Sequence, residues 1–297
     1  MKTNSLPGRI SALICVCMLA GSLAGCSGSK APTDTTDGSE EYLMIIEDID
    51  LDELAETEEI DPETITALCE GYDPDVDTDL EKARTGVSDL SLAGTVIGGQ
   101  DISFTNSDLS SYTRLSPNKT IHRNHKIDTI SIHCMAGQLT VESCGKVFAN
   151  KDAKASSNYG VGLDGKIALY VQEWDRSWCT SNGENDNRAV TIEVASNSYH
   201  PYAVNDKAYK ATIRLVADIC LRNGIDKLVW SDDKTTRIKH LNGANMTVHR
   251  DYANKACPGE YLYTRMGDIA EQVNKIIEKN KGKKISGRPC YEEKVSR

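Results

Sequence analysis

The chain has no apolar run of the length, about 20 residues, that a membrane-spanning helix needs. The stretch from Ile10 to Ala24 is too short, follows a positive segment with Lys2 and Arg9, and closes on Leu23-Ala24-Gly25-Cys26. That order reads as an export signal over residues 1–25, removed before the protein works, and not as part of the fold. Cationic charge is also in short supply: 34 Lys and Arg stand against 44 Asp and Glu, a net of −10. A nucleic-acid partner is not expected.

The deficit is uneven. Residues 30–85 hold 20 of the acidic side chains against Lys30, Lys82 and Arg84, a net of −17, which leaves 86–297 near +5. An acidic arm is joined to a mildly basic body. Residues 27–40 are rich in Ser, Gly, Thr, Pro and Asp and suit a flexible tether. Like charge continuing to residue 85 favours a disordered, extended spacer. Within it, Asp73, Asp75, Asp77 and Asp79 lack what a calcium loop requires. Thr78 holds the sixth position where Gly belongs, and Arg84 the twelfth where Glu belongs. The run reads as solvated acid. The expected order is a signal over 1–25, a tether over 26–85, a lead-in over 86–119, a folded domain over 120–280 and a basic tail over 281–297.

An even cysteine set is missing too. Loss of the signal removes Cys15 and Cys17 and leaves, beside Cys26, seven others: Cys69, Cys134, Cys144, Cys179, Cys220, Cys257 and Cys290. With seven, at least one lies outside any intramolecular disulfide. Pairing cannot be read from sequence, and a disulfide stays open for Cys257 because an exported chain permits one.

What is present is an alternation of strand and helix patterns. Ile127–His133 reads as a strand. Leu139–Asn150 reads as a helix, with Val141, Cys144, Val147 and Phe148 recurring at three and four. Asp164-Gly165 between β-prone runs signals a hairpin over 161–171. Val190–Ala195 is a further strand with Glu193 inside it. Tyr202–Asn223 is an amphipathic helix, with Asp206 as its cap and Gly224 at its end. Asn245–His249 is a short strand, and Tyr261–Glu278 a final helix. The class is α/β, with a mixed central sheet flanked by helices.

The stretch that the rest answers to is Thr247–Gly259. His249 and Cys257 offer nitrogen and sulfur eight residues apart, both good donors for zinc. Lys255 would help hold Cys257 as thiolate, the form that binds metal. Pro258-Gly259 suits a turn. The segment His249 to Pro258, H-R-D-x-x-x-K-x-C-P, resembles the C-terminal metal motif of zinc N-acetylmuramoyl-L-alanine amidases of the phage-lysozyme type, which share a fold with peptidoglycan recognition proteins. The resemblance covers roughly 120–280 and implies a third ligand at the end of the first strand, which is His133 here. Three ligands leave zinc's fourth position open, the catalytic arrangement.

The same resemblance implies further roles. Lys255 matches the family Lys that stabilises the oxyanion, and Tyr159 the hairpin Tyr directed at the zinc-bound water. Glu193 stands where some relatives carry a general base. Glu193 and Tyr159 remain alternatives for that task. One departure is that His133-Cys134-Met135 lacks the Thr that often follows the first His. The implied activity is zinc-dependent cleavage of the amide between N-acetylmuramic acid and L-alanine in peptidoglycan. A peptidoglycan-binding module without catalysis is the alternative, and retention of all three ligands favours the enzyme. Leu23–Cys26 resembles a lipobox, which implies lipid on Cys26, a membrane anchor and an extracytoplasmic place at the cell envelope. The chain is expected to be a monomer.

Overall fold

The computed structural model describes residues 95–97, 100–283 and 285–291, all within one unit, Glu56–Arg297. The signal segment, Cys26, the acidic arm with Asp73 to Asp79, Cys69 and residues 292–297 lie outside the described residues. Short strands come first: β1 (Thr95–Ile97), β2 (Gln100–Ile102), β3 (Thr105–Asn106), β4 (Tyr112–Thr113) and β5 (Lys119–Thr120). Then follow β6 (Thr129–Cys134), α1 (Val141–Phe148), β7 (Tyr159–Val161), β8 (Ile167–Leu169), β9 (Arg176–Ser177), α2 (Gly183–Arg188) and β10 (Ala189–Val194). The chain closes with α3 (Asp206–Asn223), α4 (Lys234–Ile238), β11 (Met246–Thr247), α5 (Gly259–Tyr263), α6 (Met266–Lys279) and β12 (Arg288–Pro289).

Six strands form the central sheet in the order β11-β6-β10-β7-β8-β4. β11, β6, β10 and β7 run parallel to one another, β8 is antiparallel to β7, and β4 is parallel to β8, so the sheet is mixed. β6 and β10 are buried along their whole length, as a parallel sheet covered on both faces requires. One face carries Ile130, Ile132, Val190, Ile192 and Val194 into the main core, shared with α3 and α6. Behind the hairpin end, α1 packs on β7 and β8 through Val141, Cys144 and Phe148. The mixed α/β architecture expected from the pattern is the one found.

The lead-in and tail contribute to this body. β4 hydrogen-bonds to β8 at the sheet edge, and β12 pairs with β3. Arg123, fully buried, ties the segment after β5 to its surroundings. It donates to the carbonyls of Glu173, Asp175, Asn187 and Ala189. Burial, only partly offset by Glu173, Asp175 and Asp186, draws its pKa down to about 10.

Two helix readings need correction. The long helix starts at Asp206, not Tyr202, and Asn205 is its cap: the Asn205 side chain accepts from the Ala208 N–H at 2.9 Å. Asp206 is already in the first turn. Tyr202 has φ +60°, which no right-handed helix allows. The end at Gly224, φ +68°, is as expected. The final helix is two: the Arg265 N–H turns to the Leu262 carbonyl at 2.9 Å while Arg265 Nη1 takes that of Tyr261 at 3.0 Å, and α5 closes before α6 begins.

The cap assignment is testable by chemical denaturation. Asn205→Ala should cost about 1–2 kcal/mol, the range for a lost N-cap, since it also loses a bond to the Leu163 carbonyl. Asp206→Ala should cost only a few tenths.

Candidate active site

Strand periodicity places the first candidate residues. In β6 and β10, Ile132 and Ile192 face the core, so His133 and Glu193 face the other way, and the two are paired in register. β11 lies parallel beside β6, and its chain leaves at the same sheet edge. His249 follows at once, opening a helical turn over His249–Asp251. The Asp251 carboxylate accepts from the Val248 N–H at 3.2 Å and takes a two-pronged contact from Arg237, at 2.9 and 2.5 Å. Both partners are buried. This pair fixes the loop that returns Cys257 to the end of β6. Gly259, at φ +79°, completes the return where the Tyr202 side chain leaves no room: a Cβ would meet it at 2.5 Å.

His133, His249 and Cys257 therefore converge, with one ligand-type atom of each within 4.8 Å of the others. Cys257 Sγ lies 3.4 Å from His133 Nδ1. Ser131 Oγ lies 3.1 Å from His133 Nε2, and Ser181 Oγ 3.1 Å from His249 Nε2. Each imidazole thus has its Nε2 held by a hydroxyl and its Nδ1 left for coordination, the second contact that metal-binding histidines usually have. Burial, then His249, draws the His133 pKa well down; burial, then Lys255, draws that of His249 to about 4. Both rings are neutral at pH 7, as ligands must be. The donor set fits zinc.

The thiol needs a revised account. Burial first, then Cys134 and Glu193, push the Cys257 pKa well above its ordinary value. The charge of Lys255 acts on His249. In the metal-free protein the thiol keeps its proton, and a bound cation would favour the thiolate. No disulfide joins any pair of the described cysteines.

Glu193 belongs to the same pocket, which His249, Cys257, Trp178 and Cys179 also line. It is 7% exposed, and its Oε2 has no hydrogen-bond partner. Its Oε1 is 3.9 Å from Cys179 Sγ. Burial lifts its pKa to about 8, with only the Cys179 contact acting against it.

Tyr159 is not brought to the site. It pairs with Ile192 in the sheet register, and so lies on the core face, opposite to Glu193. Its hydroxyl donates to Glu173 at 2.7 Å and accepts from the Ser107 N–H at 2.7 Å. Burial and Glu173 push its pKa well up. Arg222 and Asn223 complete that buried cluster by bonding to Glu173. Tyr159 is thereby a structural residue, and the hydroxyl role expected for it falls away.

Ser131, Ser181, Trp178 and Cys179 were not singled out from the sequence. Ser131 was within reach, being two residues before His133 on one strand face. The others arrive on the segment after β9, where no pattern marks them.

The Glu193 environment gives a stability prediction for the metal-free protein. Between pH 4.5 and about 8 the unfolded carboxyl is ionised while the folded one keeps its proton. The unfolded state then binds fewer protons, and stability falls as pH rises through that window. Glu193→Gln should leave thermal stability unchanged below pH 4.5. Its melting temperature should rise progressively above wild type up to pH 8, with the gap level beyond that.

Residues 123–260 match the family model described as N-acetylmuramoyl-L-alanine amidase, Amidase_2. Similar solved structures include a mutant endolysin from Bacillus subtilis, 17% identical over 55% of this chain and 97% of that one, with a TM-score of 0.41. Another is an endolysin N-acetylmuramoyl-L-alanine amidase from Clostridium intestinale URNW, 14% identical over 52% and 89%, with a TM-score of 0.39. No curated protein sequence matches the chain. The match to that family model takes in His133, Glu193, His249, Lys255 and Cys257, and spans a little under half of the chain.

Proposed function

We propose that this domain hydrolyses the amide between the lactyl group of N-acetylmuramic acid and the L-alanine of the stem peptide in peptidoglycan. The observation that carries the reading is the convergence of His133, His249 and Cys257 beside the Glu193 carboxyl, whose Oε2 has no hydrogen-bond partner. His133, His249 and Cys257 would hold zinc, which supplies a Lewis acid for the scissile carbonyl and makes water a nucleophile near neutral pH.

The chain's own residues do the rest. Ser131 and Ser181 orient the two imidazoles. Glu193, buried and with one oxygen unengaged, takes the proton of the attacking water and returns it to the leaving amine. Burial lifts its pKa to about 8 in the metal-free protein, and a cation held beside it would favour the carboxylate that accepts this proton. Lys255, half-buried on the same loop and near enough for its charge to act on His249, would offer its ammonium to the developing oxyanion. The protein is further proposed to act outside the cytoplasm, tethered by lipid on Cys26. Among the described residues no helix is long and apolar enough to cross a membrane, and the anchor reading is supported by Leu23-Ala24-Gly25-Cys26.

The full chain should release stem peptides with an L-alanine amino terminus from purified peptidoglycan, as read by mass spectrometry. Release should stop with a chelator and return with zinc. Intact wall with the protein bound to it would instead make this a recognition module. His133→Ala should lose zinc and activity together, and Cys257→Ala should lose activity. Lys255→Ala should keep zinc and lose turnover by about 10²–10³-fold, the range for a missing oxyanion donor. Tyr159→Phe should keep turnover near wild type.

The anchor has its own test. Cys26→Ser should move the protein from the membrane fraction to the soluble fraction and abolish incorporation of labelled fatty acid. Unchanged fractionation of Cys26→Ser would rule the anchor out.

A further inference from the structure

Cys179 has no task in the reaction above, yet its placement is specific. The segment after β9 runs along the site face of β10. Ser177 Oγ meets Thr191 Oγ1 at 2.7 Å, and two residues on, Cys179 Sγ meets Glu193 Oε1 at 3.9 Å. The Cys179 N–H is anchored on Asp186 Oδ2 at 3.0 Å. The sulfur is thereby held in the pocket that Glu193 and Cys257 line.

Three groups meet there. His133, Cys179 and Glu193 each bring one ligand-type atom within 4.8 Å of the others. Independently, Glu193 Oε2 is an unbonded carboxylate oxygen on a side chain more than nine-tenths buried. A carboxylate in that position is stabilised by a cation and by little else. A nitrogen, a sulfur and an oxygen together select a borderline-to-soft divalent ion, of the zinc, cobalt or cadmium kind, over magnesium or calcium. His133 Nε2 is engaged by Ser131, which leaves Nδ1 with a single lone pair. An ion held by this trio and one held with His249 and Cys257 cannot both use it.

We propose that His133, Cys179 and Glu193 form a second, alternative position for a thiophilic divalent cation, exclusive with the His133–His249–Cys257 position. The proposal rests on the reading of His133 as a ligand and adds Cys179 to the metal chemistry of the pocket. Binding there forms a metal–thiolate and a metal–carboxylate contact and releases the thiol proton, with any carboxyl proton, to solvent. An ion so placed removes Glu193 from proton transfer, so an excess of soft metal would silence the enzyme by relocation and not by extraction.

The test uses the metal-free full chain titrated with cobalt(II), read by the thiolate-to-cobalt charge-transfer band in the near ultraviolet. Cys257→Ala should still take up cobalt with a thiolate band. That band should disappear in Cys257→Ala/Cys179→Ser and be lost or strongly weakened in Cys257→Ala/Glu193→Gln. As a second measurement needing only the single variant, cadmium should protect Cys179 from alkylation in Cys257→Ala, mapped by peptide mass spectrometry. A Cys257→Ala protein with no thiolate band, or one whose band survives Cys179→Ser, or no protection of Cys179, would overturn the proposal. A Cys257→Ala protein that binds cobalt as wild type does, with the same spectrum, would instead sink the reading of Cys257 as a ligand. The Cys179→Ser comparison still decides the second position in that case.

Discussion

The two-residue alternation of side chains along β6 and β10 is the constraint on which the site depends. The strands are parallel, in register and buried on both faces. Alternate residues, Ile130, Ile132, Val190 and Ile192, must enter the main core. Every residue between them is then forced to the opposite face, and this delivers Ser131, His133, Thr191 and Glu193 there together. A slip of one residue would send the isoleucines to the site and the histidine into the core. Hydrophobic burial thus fixes the position of the polar chemistry without any polar contact having to specify it.

Buried charge in this protein divides into two kinds. The Arg237–Asp251 and Arg222–Glu173 pairs, and Arg123 on its ring of backbone carbonyls, are fully engaged. Removing one partner of such a pair leaves an uncompensated charge and is strongly destabilising, so these groups act as pins. Arg237–Asp251 holds the loop between His249 and Cys257, and the Glu173 cluster locks Tyr159 and the end of α3. Glu193 is the contrast. It is as deeply placed, but one oxygen is unbonded and burial has shifted its titration toward neutral pH. Structural groups are satisfied by the fold, whereas this group is left with a capacity that only a ligand, a proton or a cation can meet.

The metal-type cluster shows the same division. The histidines are neutral and pre-oriented by Ser131 and Ser181, so little rearrangement or proton loss is needed from them. Cys257 is different, because its buried thiol resists ionisation. Metal capture is therefore coupled to release of the Cys257 proton, and affinity should strengthen as pH rises. Crowding of Cys134, Cys179 and Cys257 around one pocket gives the site more sulfur than a three-ligand centre uses.

Much of this was legible in the sequence. The resemblance of H-R-D-x-x-x-K-x-C-P to an amidase metal motif marked His249 and Cys257, and the same resemblance pointed to His133, at the end of an apolar run, as the third. The α/β class followed from alternating periods of two and 3.6, which local sequence determines. The start of α3 and the break between α5 and α6 were missed, because a neighbouring Asn outcompeted Asp206 for the cap and the Arg265 side chain took the Tyr261 carbonyl. Tertiary structure alone decided which of two candidate bases faces the site. Glu193 and Tyr159 both sit on strands, and only the register of β7 against β10 puts them on opposite faces. It alone placed Cys179 beside Glu193, since segments far apart in the chain meet through packing, and no local pattern encodes that distance.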